Sequence, residues 1–214
     1  MTSATSDPLK VPFTQRYGVV LFLAILFTVF WIVLAFHPTN RVQWIMENIL
    51  VLAAVIFLTI LSRKFPLSNQ SYFLIFIFLC FHTYAAHYTY DGTPFDRWLK
   101  ENFHAQRSYF DRVVHFLFGL LLAPVLKEVL VRTNRLKGLW IYALPVACVF
   151  ALSAFFEILE MFVALFGGSA GEDYMGLQGD IYDSQKDMGL GLLGGACTMG
   201  WLAWRQKHRH SVPE

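Results

Sequence analysis

The chain has 214 residues, 56% of them hydrophobic and 15% charged, against about 45–50% and 25% in an average soluble domain. That balance excludes a disordered chain, and because the apolar residues stand in long unbroken runs it speaks against a soluble one. A formal net charge of +2 argues against nucleic acid as a partner.

A membrane-crossing helix needs about 20 mostly apolar residues. Six segments have that character: 18–36, 44–61, 71–87, 113–131, 139–166 and 188–204. The first starts late and ends in Phe36-His37-Pro38 without a small-residue cleavage site, so it reads as a retained span rather than a signal peptide. The fifth is too long for one untilted crossing. Pro124 and Pro145 fall inside the fourth and fifth spans, where they are expected to kink the helices. The sequence therefore predicts an all-α polytopic membrane helical bundle of six transmembrane helices, a single integral membrane domain with polar tails at 1–15 and 206–214. Cys80, Cys148 and Cys197 all lie in apolar stretches and read as small buried hydrophobes.

Between the third and fourth spans, Thr93-Pro94-Phe95-Asp96 has the pattern of a helix start, with a capping Thr and Pro at the first helical position. Phe95, Trp98, Leu99 and Phe103 follow at helical spacing, with Asp96 and Lys100 as an i,i+4 pair on the other side. A short interfacial amphipathic helix is expected there.

Lys and Arg set the orientation. The N-terminal segment, the second and fourth loops and the C-terminal tail hold 11 of the 17 basic residues, which places both termini in the cytoplasm. On that topology the acids and histidines gather at the outer level. Asp111 and His115 open the fourth span at i,i+4; Glu157 and Glu160 stand in the outer half of the fifth at i,i+3; Asp180, Asp183 and Asp187 precede the sixth. His82 and His87 end the third span, but five residues turn a helix by about 140°. At most one of them can face a common site.

Ionisable groups inside a bundle are costly and mark a substrate path, a proton relay or a metal. Six carboxylates cannot all ionise without repulsion, so several stay protonated, or Arg107, Arg112 and Lys186 pair with them, or a divalent cation neutralises them. Carboxylate and imidazole at helical spacing on facing helices is how bundles build metal sites, and this donor set suits Zn, Mn, Fe or Mg. Each motif also has a plainer reading: Asp111 as a helix N-terminal acid, Glu157 and Glu160 at the water boundary, the aspartates as loop residues.

Several of these stretches together resemble the YjdF-like inner membrane proteins of bacteria. They are His87-Tyr88-Thr89-Tyr90, Arg107 to Tyr109, Asp111-Arg112 to His115, Ser153 to Glu157 with Glu160, and Gln178-Gly179-Asp180 through Asp183 and Asp187. The resemblance runs from about Asn48 to Trp204 and implies a bacterial inner membrane location without assigning an activity. More distantly, the acid-x-x-x-His pair, the Glu on the next span and the Asp-containing loop before a Gly-rich last span are similar to the VanZ-like membrane proteins. Their association with resistance to a lipoglycopeptide antibiotic points by analogy to envelope lipids.

The functional expectation is a metal-dependent intramembrane hydrolase or transferase acting on a membrane lipid or lipid-linked substrate at the outer leaflet. Asp111, His115, Glu157, Asp180, Asp183, Asp187 and His87 are the expected metal ligands, and Glu157 and Glu160 the expected catalytic carboxylates. Arg107, Arg112, Gln178 and Tyr90 are expected to contact substrate. Two alternatives stand beside it: a cation- or proton-coupled transporter using the same carboxylates, and a non-catalytic scaffold.

Overall fold

The computed structural model describes residues 13–134, 136–167 and 180–209. Among them are seven α-helices and no strands: α1 (Phe13–Ala35), α2 (Arg41–Lys64), α3 (Asn69–His87), α4 (Pro94–Phe103), α5 (Phe110–Thr133), α6 (Trp140–Gly167) and α7 (Asp183–Arg209). The helices begin where local chemistry satisfies their free N–H groups. The Asn40 side chain accepts from Val42 and Gln43 N–H at the head of α2, and Ser68 accepts from Ser71 N–H at the head of α3.

Four helices are long and apolar enough to cross a bilayer, over Gly18–Ala35, Arg41–Arg63, Phe110–Thr133 and Trp140–Phe166. The third and sixth expected spans also form helices, α3 and α7, but are more polar. Asn69, Gln70 and Ser71 start α3 and His82, Thr83 and His87 end it, while glycines and charged ends dilute α7. The helical membrane bundle is thus observed, and apolarity alone supports four crossings rather than six.

Pro124 and Pro145 sit inside continuous helices. At 28 residues, α6 is about 42 Å long, more than a bilayer core. α1 starts at Phe13 and α7 runs on to Arg209; the remainder of the expected polar tails, 1–12 and 210–214, lies outside the described residues.

α5 is the hub, packed on α3, α6 and α7, while α1 and α2 lean on α3. The outward faces of α1 and α2 present Phe22, Ile25, Val29, Val33, Ile49 and Phe57, as lipid-facing helices do. Closest contact is between α5 and α7. A Cβ on Gly119 would overlap Gly191 O and stand 2.7 Å from Gly195 N, and one on Gly194 would overlap Phe116 O. Small residues let two helix backbones touch in this way.

Candidate functional site: a carboxylate–histidine cluster

Three helices meet at Gly119 of α5, Gly191 of α7 and Ser153 of α6, and a Cβ on Gly191 would collide with Ser153 Oγ. One helical turn from each contact, toward the same end of the bundle, stand His115, Asp187 and Glu157. The glycines act as spacers: because the backbones touch at 119 and 191, the side chains at 115 and 187 converge. All three are buried, at 7%, 2% and 6% exposure.

His115 Nε2 lies 3.6 Å from Asp111 Oδ1 and 3.5 Å from Glu157 Oε1, within ion-pair reach but too long for good hydrogen bonds. One ligand atom each from Asp111, His115 and Asp187 falls within 4.8 Å of the other two. Among the described residues, Glu157 Oε1, Asp187 Oδ1 and Ser153 Oγ are buried without a hydrogen-bond partner. Such orphaned acceptors cost about 1–3 kcal/mol each, more when charged. Glu160, one turn along α6, lies within electrostatic reach of Glu157, Asp111, Asp187 and Glu47.

Asp180 and Asp183 are held differently. Arg107 donates to Asp180 Oδ2 at 2.8 Å and to Asp183 Oδ1 at 2.5 Å. Arg112 donates to the same two oxygens at 2.8 and 3.1 Å, and Lys186 Nζ reaches Asp180 Oδ2 at 2.5 Å. The Lys186 hydrogen bond, with those from Tyr182 N–H and Arg112, holds the Asp180 carboxyl well below the usual carboxylate range. That tie is fully made above the ordinary Asp pKa and is lost only in strong acid. Both aspartates thus have basic partners, and the arginines are occupied by this chain's own carboxylates.

The head of α5 is built from a neighbour. Tyr109 provides no side-chain cap; instead Asp96 of α4, fully buried, accepts from Tyr109 N at 2.7 Å and Phe110 N at 3.2 Å, and from Thr93 Oγ1 at 2.6 Å. The Thr-Pro helix start is where the sequence placed it. The pairing of Asp96 with Lys100 across an exposed face is not, because three donors draw Asp96 inward while Lys100 stays exposed.

Of the two histidines ending α3, His87 turns away from the cluster: its Nδ1 lies 2.8 Å from Leu34 O of α1. His82 is the buried one that feels the charge of His115. Its Nε2 stands 3.8 Å from Glu47 Oε2 of α2, and Tyr90 Oη meets its Nδ1 at 2.6 Å. Thr89 and Tyr90 both adopt φ of +59°, a left-handed conformation that non-glycine residues rarely take, and this turn folds Tyr90 back over α3. Tyr90 therefore contacts His82, while Gln178 lies outside the described residues. Glu47 is a site residue the sequence reading missed; its one signal is a lone acid in an apolar run, one turn past Trp44.

An apolar helical bundle around a buried carboxylate–histidine cluster at one end defines a polytopic membrane protein. Residues 19–208 match the family described as "Predicted membrane protein (DUF2238)". Over 165 residues the chain is 35% identical to inner membrane protein YjdF of Escherichia coli (strain K12), spanning 77% of this chain and 79% of that protein. The chain belongs to this family, as a multi-pass protein of the bacterial inner membrane. No solved structure matches it.

Proposed function

We propose that the chain is a metal-dependent hydrolase or transferase acting on an envelope lipid or lipid-linked substrate at the outer leaflet, with six crossings and both termini in the cytoplasm. The observation that carries this reading is the spacing around His115. Ligand atoms sharing one ion at bonds of about 2.0–2.2 Å stand about 3.4 Å apart in tetrahedral geometry; Nε2 lies 3.6 Å from Asp111 Oδ1, and a ligand atom of Asp187 falls within 4.8 Å of both residues' ligand atoms. The donorless oxygens of Asp187 and Glu157 supply the second support.

Asp111, His115 and Asp187 would hold the ion, of the Zn, Mn, Fe or Mg class. When bound it lowers the pKa of a water and polarises an ester or phosphoester. Glu157 takes the proton of the attacking water and returns it to the departing alcohol, so the acyl or phosphoryl bond breaks with no net proton uptake. Glu160 stands one turn away on α6 as the supporting carboxylate. Asp180 and Asp183 fix Arg107 and Arg112 beside the site rather than serving as ligands.

A transporter reading needs ionisable groups along a path to the other end. The inner acid Glu128 accepts from Ser68 N, Ser68 Oγ, Ser71 Oγ and Arg132 Nη1 at 2.5–2.7 Å, which commits it to holding helices together. A strain lacking the gene should show an altered envelope lipid profile, restored by the wild-type chain and not by His115→Ala or Asp187→Asn. Full restoration by both variants would sink the enzyme reading.

A further inference from the structure

Beside the cluster, three basic side chains converge on one oxygen. Arg107 Nη1, Arg112 Nη2 and Lys186 Nζ all donate to Asp180 Oδ2, at 2.8, 2.8 and 2.5 Å. A carboxylate oxygen has two lone pairs, so this oxygen is oversupplied with donors. Among the described residues, Arg112 Nε is meanwhile buried and without an acceptor. Donors crowd one atom while another donor on the same guanidinium finds no acceptor among these residues. An anion with three or more acceptor oxygens spread over a tetrahedron would fit this set better than the planar carboxylate in it.

The next two residues indicate where such an anion would come from. Ile181 and Tyr182 are 78% and 60% exposed, an apolar and an amphipathic side chain side by side at the mouth of the basic set. Aromatic residues of this kind favour the headgroup level of a bilayer. Asp183, the second acid on the arginines, is anchored in the first turn of α7 and 5% exposed. Asp180 precedes the helix, so it is the acid that can leave.

We propose that Arg107, Arg112 and Lys186 form a binding site for a phosphate group, presented by a lipid headgroup, and that Asp180 occupies this site as an intramolecular stand-in that the phosphate displaces. The proposal rests on the lipid reading above for the place of the substrate, and names its chemical class. It also gives the site a regulatory device. A tethered anion competes at an effective concentration near the millimolar range, so only a ligand presented at high local density, as in a membrane, would displace it. The apparent affinity of the native chain is lowered by the fraction of time Asp180 is seated.

The test is binding to the full chain, wild type beside Asp180→Asn and Arg107→Gln. Two probes are used: inorganic phosphate added to protein in neutral detergent, and phosphatidic acid carried in phosphatidylcholine nanodiscs holding the protein. Each is measured with and without a metal chelator. Asp180→Asn should bind phosphate at least about tenfold more tightly than wild type, as expected when a charged competitor is removed, and Arg107→Gln should lose that binding. A gain with phosphatidic acid but not inorganic phosphate assigns the site to lipid, and a gain with both assigns it to the phosphate group itself. Unchanged or weaker binding of both probes by Asp180→Asn overturns the proposal. Because the gain should survive the chelator, it stands or falls separately from the metal, whose absence would overturn only the enzyme reading. Thermal unfolding of Asp180→Asn guards the result: a lower melting temperature with no gain in binding would mean that Asp180 is merely a structural tie, and would also overturn the proposal.

Discussion

Acids at the two ends of the same bundle meet opposite fates. Glu128, near one end of α5, receives four hydrogen bonds from Ser68, Ser71 and Arg132. About 20–26 Å away along α5, Asp111 and His115 face Glu157 and Asp187, whose Oε1 and Oδ1 receive none among the described residues. Glu128 stitches α3 to α5, and every donor it meets has a reason to be there. At the other end the chain spends burial on carboxylates while leaving them short of donors, which makes poor glue and a good ligand set. Polar residues in a membrane bundle are therefore told apart less by their depth than by whether their hydrogen bonds are complete.

The sign of a stability change separates the two regions. Glu128→Ala should have the largest effect, because it leaves the Ser68 and Ser71 donors at the head of α3 without their shared acceptor and Arg132 without its carboxylate: about 2–4 kcal/mol of destabilisation, read as denaturant-induced unfolding in detergent. Gly119→Ala should cost about 1–3 kcal/mol by forcing α5 from α7, and should also lower metal affinity, since His115 and Asp187 converge only while those backbones touch. Asp96→Ala should cost about 1–2 kcal/mol by removing the cap of α5, with increased hydrogen exchange at Tyr109 and Phe110. The smallest effect has the opposite sign. Glu157→Gln takes an ionisable group out of the metal-free cluster and should stabilise the metal-free protein by about 1 kcal/mol at alkaline pH, where the carboxyls are ionised and repel one another. Destabilisation of the metal-free protein by Glu157→Gln would erase the contrast between the two ends.

What the sequence carried, and what it did not, follows from the range of the interactions. Apolar runs of helix length are local, so the helices and the start of α4 at Thr93-Pro94 were legible. Asp96 was misread because its partners, Tyr109 and Phe110 N–H, belong to the next helix; local spacing offered Lys100 instead. The pairing of Arg107 and Arg112 with Asp180 and Asp183 was one of three options the sequence left open, because it spans about seventy residues and leaves no periodic trace. His82 and His87 sit 140° apart on one helix, and nothing in an apolar run says which face meets α5. Asp111, His115, Glu157 and Asp187 were found because i,i+3 and i,i+4 spacing needs only a helix. The glycines that bring them together, Gly119 and Gly191, looked like ordinary small residues until the backbones were seen to touch.

Whether the carboxylate–histidine cluster takes up an ion is the decisive question. Elemental analysis of detergent-purified wild type, Asp187→Asn and Glu128→Gln, prepared in parallel with divalent metals supplied, reads this directly. Roughly one divalent ion per chain is predicted in wild type and Glu128→Gln, with at least about a tenfold loss in Asp187→Asn. Metal-free wild type, or equal metal in wild type and Asp187→Asn, would contradict it.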